Sequence, residues 1–291
     1  MAVAAALNVT EPASTGIGGD LFCLYYSAEA KSVRGINASG RSPARLTLER
    51  ARKDLGLKGM GEDVDELIQE KLPMSHAHAV TVPGTAAGWV DVVEQFGSGK
   101  MDMNQVLGEA IRLAEEGFPV SEVAADAWAG GAEHLIMSST NWRDMLKDGV
   151  RAPREGEIMT MKLLARVFRK LADEGKKGFY EGEIAEAIVE AVKERGGVLA
   201  LDDLKNHLET GSEVTEPISL EFDGERVWEC APNGQGIVAL MALGILEALE
   251  KSGKIKPLGG TEKGWGHNEV EYVCPYPVTV ARTADLPTHH L

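Results

Sequence analysis

Apolar residues recur along this chain at the three- and four-residue intervals that place side chains on one face of a helix. In residues 85–96, for example, Trp89, Val92, Val93 and Phe96 share a face. The same spacing predicts amphipathic helices over 85–96, over 103–116 up to a Gly117 cap, from a Thr160 cap to Gly175, from Ile184 to Gly196 and Gly197, and over 236–250. The Ala-rich start predicts the end of another helix, and charged residues 44–72 predict a helix interrupted by glycines.

Runs of β-branched, aromatic and other apolar residues predict strands between these helices. Residues 20–26 and 31–39 are expected to form adjacent strands, and residues 79–84 a short strand that ends in Pro-Gly. Residues 217–231 predict a hairpin, because Asp223 and Gly224 tolerate the positive φ that a two-residue turn needs. This mixture of helices and strands predicts an α+β fold class, in one domain or part of one.

Composition and charge narrow the classes of function. The chain has 291 residues, of which 44% are hydrophobic, which is enough for a substantial core. Its formal net charge of −15 argues against a nucleic-acid partner, because such a partner needs clustered Lys and Arg. No long apolar run predicts a membrane span, so no membrane partner is expected. A cytoplasmic location is the default expectation, although a full-length product could be secreted.

Two glycine-rich loops raise the question of phosphate binding. In "TGIGGD" (15–20), Leu21 stands where the third glycine of a dinucleotide loop belongs, and a strand follows where that loop needs a helix. In "NGQG" (233–236), the preceding strand belongs to a tight hairpin and no ribose-binding acid follows at the usual distance. Dinucleotide binding is therefore a minor alternative, and no cofactor is expected. Both loops either present backbone N–H groups to an acyl or carboxylate ligand or simply make tight turns.

Few polar side chains are candidates for chemistry. His76 and His78 have the alternating spacing of metal ligands on a strand, but no third ligand is evident. A surface loop is the favoured interpretation, and no metal is expected. Cys23 and Cys230 fall in apolar strand-like runs, which predicts buried thiols. No G-x-S-x-G nucleophile motif is present, so no catalytic residue is assigned.

Arg41 is a candidate ligand for a carboxylate. It follows Gly40 and precedes Pro43, in a turn at the end of a predicted strand. A fixed guanidinium at such a place could bind a carboxylate through two hydrogen bonds. A solvated loop arginine is an equally supported alternative.

Five stretches follow one another in an informative order: "EPASTGIGGDLFCLYY", "AVTVPGTAAGWVDVVEQFGSGKM", "GEAIRLAEEGFPVS", "GFYEGEIAEAIVEAVKERGGVLALDDLKNH" and "APNGQGIVALMALGILEAL". Together they resemble the large-subunit part of the γ-glutamyltransferase (γ-glutamyltranspeptidase, glutathione hydrolase) family, over roughly residues 2–273. The resemblance implies an N-terminal-nucleophile hydrolase fold, a four-layer αββα sandwich. This chain would hold an incomplete form of it, the large-subunit part only.

The resemblance also implies a reaction. Members of the family are precursors that cut themselves, and the new N-terminal Thr of the small subunit attacks a γ-glutamyl amide. The acyl group then passes to water, an amino acid or a peptide. The implied partners are a small γ-glutamyl or acyl-amide substrate and the small subunit of the same precursor. The candidate substrate-binding residues are Gly18, Gly19, Asp20, Arg41, Asn233, Gly234 and Gln235.

The loops of this chain depart from the family's pattern. Members carry an arginine four residues before a proline, where this chain has Ser39, and Arg41 lies nearer to Pro43. "APNGQG" replaces a loop that is rich in proline and serine. Both changes resemble the divergent acylase-like branch, so γ-glutamyl specificity is not implied.

The two ends of the sequence also depart from that pattern. The chain begins inside an expected helix, and Pro275 and Pro277 interrupt another, which suggests a truncated or mis-spliced reading frame. Residues 1–273 are expected to form one large-subunit-like domain, and 274–291 a poorly ordered tail outside the family. Without a covering layer, Leu240, Leu243 and Leu246–Leu249 are expected to be partly exposed. The segment with the processing Thr is not in this sequence, so we expect no activity from the chain alone. The alternative is a non-catalytic binding or interaction protein that keeps the ligand loop.

Overall fold

The structure, a computed structural model, describes residues 1–56, 72–73, 75–138 and 141–255. The chain divides into two units: unit 1 consists of Met1–Tyr25 and Gly35–Thr215, and unit 2 of Tyr26–Arg34 and Glu216–Leu291. Unit 1 is built mainly of helices, and the described part of unit 2 contains a hairpin and a helix.

The helices of unit 1 begin at the N-terminus and continue to the last residues of the unit. They are α1 Ala2–Thr10, α2 Leu48–Leu55, α3 Thr85–Phe96, α4 Met103–Glu116, α5 Glu122–Ser138, α6 Lys162–Glu174, α7 Lys177–Tyr180, α8 Gly182–Glu194 and α9 Leu201–Thr210. Helix α10, Gly236–Lys251, belongs to unit 2. Short 3₁₀ helices lie at Ala77–Ala79 and Trp142–Met145.

The strands are short and form small sheets. They are β1 Leu21–Ser27, β2 Ser32–Ala38, β3 Phe118–Pro119, β4 Ile158–Met159, β5 Glu213–Thr215, β6 Ile218–Phe222 and β7 Glu225–Glu229. The largest sheet has the order β1-β2-β5, and Gly35 of β2 faces Thr215 of the antiparallel β5. Strands β3 and β4 form one antiparallel pair, and β6 and β7 form another.

Local chemistry explains where α4 begins and ends. The Asp102 side chain accepts a hydrogen bond from the Gln105 N–H (2.8 Å), and the Gln105 side chain accepts one from the Asp102 N–H (3.0 Å). This capping box satisfies two backbone donors that the first turn of a helix leaves free. At the other end, Gly117 has a φ of 103°, which only glycine adopts without strain.

The core of unit 1 forms where α4 packs against α1 and α6. Trp89 of α3 is fully buried, and its ring meets the Phe168 ring of α6 edge-on at 5.6 Å between centroids. Leu107 and Leu171 are also fully buried beside them. Buried aromatic and aliphatic side chains of this kind supply most of the favourable free energy of folding.

Most of the predicted elements are confirmed. The helical predictions correspond to α1, α3, α4, α6, α8 and α10, and the two adjacent strands to β1 and β2. Residues 217–231 form the hairpin of β6 and β7, and its turn residues Asp223 and Gly224 have φ of 49° and 81°. Of the charged segment 44–72, α2 is described, and Gly56 ends it in the left-handed conformation; residues 57–71 lie outside the described part.

Two predictions about elements were wrong, and two of the longer helices were not predicted. Residues 79–84 do not form a strand, since a 3₁₀ helix ends at Ala79 and an irregular segment follows it. Met161, not Thr160, is the N-cap of α6, and the Met161 side chain accepts no capping hydrogen bond. Helices α5 and α9 were not predicted, because each buries only two residues and carries no long apolar stripe.

In unit 2, α10 packs against β6 and β7. Its buried residues are Leu240 and Leu246, so the prediction that these two leucines are partly exposed was wrong. Leu243 and Leu249 are half-buried, as expected. The predicted tail 274–291 lies outside the described residues.

A helix that crosses a bilayer must be both long and apolar. Within the described ranges, none is both long enough and apolar enough to cross a membrane.

Candidate substrate-binding site

The first glycine loop is a tight turn that holds the start of α3. The Gly19 N–H donates to the Gly16 carbonyl at 3.1 Å, which closes the turn. The Gly19 carbonyl accepts three hydrogen bonds: from the Gly84 N–H (3.0 Å), the Thr85 N–H (3.0 Å) and the Thr85 hydroxyl (2.8 Å). The turn is therefore fixed to the N-terminus of α3, where free N–H groups need acceptors.

Asp20 connects this turn to the loop that carries Arg41. One oxygen of its carboxylate accepts a hydrogen bond from the Gly40 N–H at 2.9 Å. The Arg41 carbonyl in turn accepts from the Val82 N–H at 3.0 Å. Three segments that are distant in sequence thus meet at one end of the β1-β2 strand pair.

Glycines permit this close approach of backbone segments. A Cβ atom at Gly40 would lie 1.4 Å from the Val82 carbonyl oxygen, and one at Gly84 would lie 2.0 Å from the Ala38 carbonyl oxygen. Neither position can hold a side chain without movement of the backbone. At Gly16 and Gly18, by contrast, an added Cβ would meet nothing within 4 Å. The surface above the first loop is open to solvent.

The Arg41 side chain is exposed and makes one hydrogen bond within the described part of the chain. Its Nη1 donates to the Thr210 hydroxyl at the end of α9, at 3.2 Å. The Thr210 hydroxyl donates to the Asn206 carbonyl at 2.9 Å. No carboxylate of the described residues forms an ion pair with this guanidinium, so most of its donors remain available.

A layer of buried aromatic side chains lies behind the loops. The Tyr180 hydroxyl donates to the Pro83 carbonyl (2.6 Å) and accepts from the Ala87 N–H (3.0 Å), which fixes the first turn of α3. Burial raises the pKa of this hydroxyl well above its ordinary value, so Tyr180 stays neutral. The Tyr180 ring contacts the His207 ring, with 5.2 Å between centroids.

His207 is buried and polar at once. Neither ring nitrogen has a hydrogen-bond partner among the described residues. Burial lowers its pKa, and the positive charges of Arg41 and Lys176 lower it further, against the opposing effect of Asp91 and Asp20. The neutral ring is the form that this environment favours.

Asp91 is a second buried polar group behind the loops. Its carboxylate accepts from the Lys176 ammonium (2.6 Å) and from the Ser212 N–H (2.9 Å). These bonds join α3 to the start of α7 and to the segment that enters β5. Tyr180, His207 and Asp91 were not predicted as parts of the site, although an aspartate inside the apolar run of α3 was a usable signal.

The second glycine loop lies in unit 2. Asn233 and Gln235 are exposed, and Gly234 is half-buried. The Gly234 N–H donates to the Ala231 carbonyl at 3.2 Å, and Gln235 is the N-cap of α10. Within unit 1 the structure brings together Gly18, Gly19, Asp20 and Arg41. Asn233, Gly234 and Gln235 form a separate group within unit 2.

The histidine pair and the cysteines differ from expectation. The surface-loop interpretation was wrong for His78, which is buried and has its Nε2 2.9 Å from an Asp54 carboxylate oxygen. In the described ranges, no three His, Cys, Asp or Glu side chains are grouped as metal ligands are. Cys23 and Cys230 are half-buried thiols rather than fully buried ones. Cys274 lies outside the described residues.

Comparison with known proteins places this geometry in a family. The family model described as gamma-glutamyltranspeptidase matches residues 1–268. The glutathione hydrolase-like YwrD proenzyme of Bacillus subtilis is 32% identical over 249 residues, which are 85% of this chain and 43% of that protein. The oxamate amidohydrolase proenzyme of Klebsiella pneumoniae is 30% identical over 253 residues, 86% of this chain and 44% of that protein.

The fold is shared with solved structures. The cephalosporin acylase from Bacillus halodurans superposes with a TM-score of 0.72 at 35% identity, over 84% of this chain and 43% of that chain. The prediction of an α+β fold of the N-terminal-nucleophile hydrolase class is confirmed by such neighbours. The chain spans less than half the length of the curated relatives named above. Since one family's model covers nearly all of it, this chain belongs to the γ-glutamyltranspeptidase family.

Proposed function

We propose that this chain is the large-subunit portion of a γ-glutamyltransferase-like amidohydrolase and acyltransferase. Its substrate is an amide whose acyl part carries a carboxylate, such as a γ-glutamyl amide. Its partner is the small subunit of the same precursor. Gly18, Gly19, Asp20 and Arg41 of unit 1 bind the acyl part of the substrate. Asn233, Gly234 and Gln235 of unit 2 are separate candidates for substrate contact.

The partner subunit supplies the nucleophile in this proposal. The hydroxyl of its N-terminal Thr attacks the amide carbon while the α-amine takes the proton. The tetrahedral intermediate expels the amine, which receives that proton, and an ester of the acyl group remains on the Thr. Water or an amine then attacks the ester and regenerates the hydroxyl. Backbone N–H groups near the carbonyl oxygen stabilise the negative charge that develops there.

One observation carries the proposal: the Arg41 guanidinium has no carboxylate partner in the described part of a chain that has 45 acidic residues. The only side chain to which it donates there is the neutral hydroxyl of Thr210. Asp20, the nearby acid of the first loop, accepts from the Gly40 N–H instead. An arginine held in this way is suited to bind a carboxylate of the substrate through two hydrogen bonds.

The open surface at Gly16 and Gly18 supports the same proposal. Neither glycine has a positive φ, and neither is crowded by neighbouring atoms. Folding therefore does not require glycine at these two positions. A ligand that approaches the backbone closely would require it, since any side chain would occupy the same space.

The proposal is tested by calorimetric titration of L-glutamate into the full chain. We expect saturable binding that Arg41→Ala weakens about 10- to 100-fold. This loss of affinity corresponds to the free energy of a hydrogen bond to a charged group. Arg41→Lys should recover part of this loss, because it keeps the charge but not the bidentate geometry. Arg45→Ala, in the same exposed loop, is the matched control and should bind as the parent chain does. Equal affinity in Arg41→Ala and Arg45→Ala would refute the role of Arg41.

The assignment of the nucleophile to the partner is tested by turnover. The chain alone should release no aniline from a γ-glutamyl anilide. Measurable release that is abolished by substitution of one of its own Thr or Ser residues would contradict the assignment. Binding of glutamate without turnover, in the presence of the small subunit as well, would favour a non-catalytic binding protein.

A further inference from the structure

A groove between α6 and α8 is lined by none of the candidate substrate-binding residues. Its cavity volume is about 550 Å³, and the 3₁₀ helix Trp142–Met145 forms part of its wall. Apolar side chains make up most of its lining: Leu164, Val167, Ile184, Ile188 and Ala191. Pockets for small ligands in proteins have this size and this mainly apolar surface.

The groove is preformed, because both helices that line it are anchored in the core. Helix α6 buries Ala165, Phe168 and Leu171 in the core, and α8 buries Ala185, Val189 and Val192. The lining residues Leu164 and Ile188 themselves pack against this core. A ligand would therefore not have to open the groove.

Among the described residues, two of the three charged side chains that line the groove are paired with each other, and two neighbouring charges of α6 are paired as well. Arg166 of α6 forms an ion pair with Glu183 of α8. The Lys170 ammonium lies 2.9 Å from a Glu174 carboxylate oxygen and 3.8 Å from one of Glu183. These groups together contribute two positive and two negative charges.

Asp144 is the exception. Its carboxylate forms part of the groove wall and is half-buried, and it has no cationic partner within the described residues. Burial raises its pKa, and the Leu163 N–H at the start of α6 opposes this effect in part. Ionisation of a half-buried carboxylate beside apolar side chains is unfavourable, because water solvates the charge incompletely. A cation bound next to the carboxylate would stabilise the ionised form.

We propose that this groove binds a small organic cation, with its ammonium group paired to Asp144 and its apolar body on the side chains of α6 and α8. An anion of the same shape would place like charges together. A neutral apolar molecule would remove water from the carboxylate without replacing its counterion. An aralkyl amine satisfies both the apolar lining and the unpaired charge.

The test is a calorimetric or NMR titration of the full chain with 2-phenylethylamine, and with 3-phenylpropionate as the probe of opposite charge. We expect saturable binding of the amine at least about 10-fold tighter than that of the carboxylate. Asp144→Asn should weaken amine binding about 10-fold or more. Asp148→Asn makes the same chemical change outside the groove and should leave the affinity unchanged.

A second variant tests the site by shape. Ala187→Phe places a ring at the lining of the groove and should abolish amine binding without loss of thermal stability. Equal binding of the two probes, full affinity in Asp144→Asn, or no saturable binding of the amine would each overturn the proposal. These outcomes do not depend on glutamate binding at Arg41, so the two proposals can fail separately.

Discussion

Helices α3 and α10 are both rich in apolar residues, yet their surroundings differ. In α3, every residue from Thr85 to Asp91 is buried, including the polar ends of that range. In α10, only Leu240 and Leu246 are buried. Four of its apolar side chains are exposed by about half, and they form what we call the α10 face: Ile237, Val238, Met241 and Ile245.

The difference arises from what covers each helix. Helix α3 begins at the Gly19 turn, lies against Ala38 and Leu21 at Gly88, and buries Trp89 in the core of unit 1. Helix α10 packs on one side against the β6-β7 hairpin. The apolar side chains of a helix make its burial favourable. Whether they are buried depends on which other elements of the fold pack against them. The comparison predicts that equivalent substitutions will have unequal effects in the two helices.

The largest difference is expected for glycine substitutions. Gly84→Ala, at the N-cap of α3, places a Cβ 2.0 Å from the Ala38 carbonyl oxygen. We expect it to lower the free energy of unfolding by about 3 kcal/mol or more, because backbone must move. Gly244→Ala, inside α10, places a Cβ at an ordinary 3.6 Å from Leu220. It should raise stability by about 0.5–1 kcal/mol through helix propensity.

Urea denaturation of both variants measures this pair of effects. If Gly84→Ala unfolds at the same urea concentration as the parent chain, the close approach of α3 to β2 is incorrect. A large loss in Gly244→Ala would show instead that α10 is covered more tightly than its exposed face indicates.

Truncation of large side chains is the next comparison. Phe168 is fully buried against Trp89, so Phe168→Ala should cost about 3–5 kcal/mol. Met241 on the α10 face is 59% exposed, and Met241→Ala should change stability by less than about 0.5 kcal/mol. Thermal unfolding monitored by circular dichroism distinguishes the two. Similar costs for both would remove the contrast between the units.

The pH dependence of stability is expected to reflect His207. Its pKa in the folded chain is lower than in the unfolded chain, so the unfolded chain binds this proton more tightly. The contribution of His207 to stability is therefore complete at high pH and decreases as the pH falls through about 6.5, the ordinary pKa of histidine. His207→Gln should lose part of this acid dependence when unfolding is measured at pH 7.5 and pH 5.

Removal of an exposed histidine is the control for that measurement. His134 of α5 is exposed, and His134→Gln should keep the pH dependence of the parent chain. An unchanged pH dependence in His207→Gln would show that the ring is as accessible to protons as in the unfolded chain.

The smallest effect on stability is expected on the α10 face itself. Val238→Glu should change the free energy of unfolding little, but it should reduce concentration-dependent self-association of the chain. Val123 of α5 is 73% exposed, and as a single exposed residue it needs no cover. Val123→Glu should therefore leave association unchanged. Sedimentation velocity measures both, and equal behaviour of the two variants would exclude the α10 face as the associating surface.

Much of the fold was predictable because its causes are local. Helix α4 is defined within sixteen consecutive positions, which hold its apolar stripe, its N-cap Asp102 and its C-cap Gly117. The Asp223-Gly224 turn likewise determines where strands β6 and β7 pair. Helix α9 was not predicted, because it buries only Leu204 and His207 and so carries no long apolar stripe. The composition of residues 79–84 predicts a strand. The structure forms none there, because the segment makes too few backbone hydrogen bonds with the loop that carries Arg41.

In the candidate site, too, features with local causes were predicted and features that depend on distant contacts were not. Arg41 was proposed from sequence because it lies in a turn at the end of a predicted strand, and the first glycine loop because it resembles the family's motif. Their supports were not predicted, because Tyr180 lies more than 90 residues from Pro83 and Ala87, and His207 more than 100 residues from Asp91 and Arg41. No sequence pattern connects Asp54 with His78, and only the fold brings the His78 ring to the Asp54 carboxylate.

The sequence by itself determined the types of most elements, their turns and caps, and membership of a family, since periodicity, glycine placement and motif order are properties of consecutive residues. Only the tertiary structure decided which apolar faces are covered, which glycines are required by close backbone approach, and which polar groups are buried together. The physical reason is that burial and electrostatic environment depend on neighbours in space, and those neighbours are brought from distant positions by the packing of the whole chain.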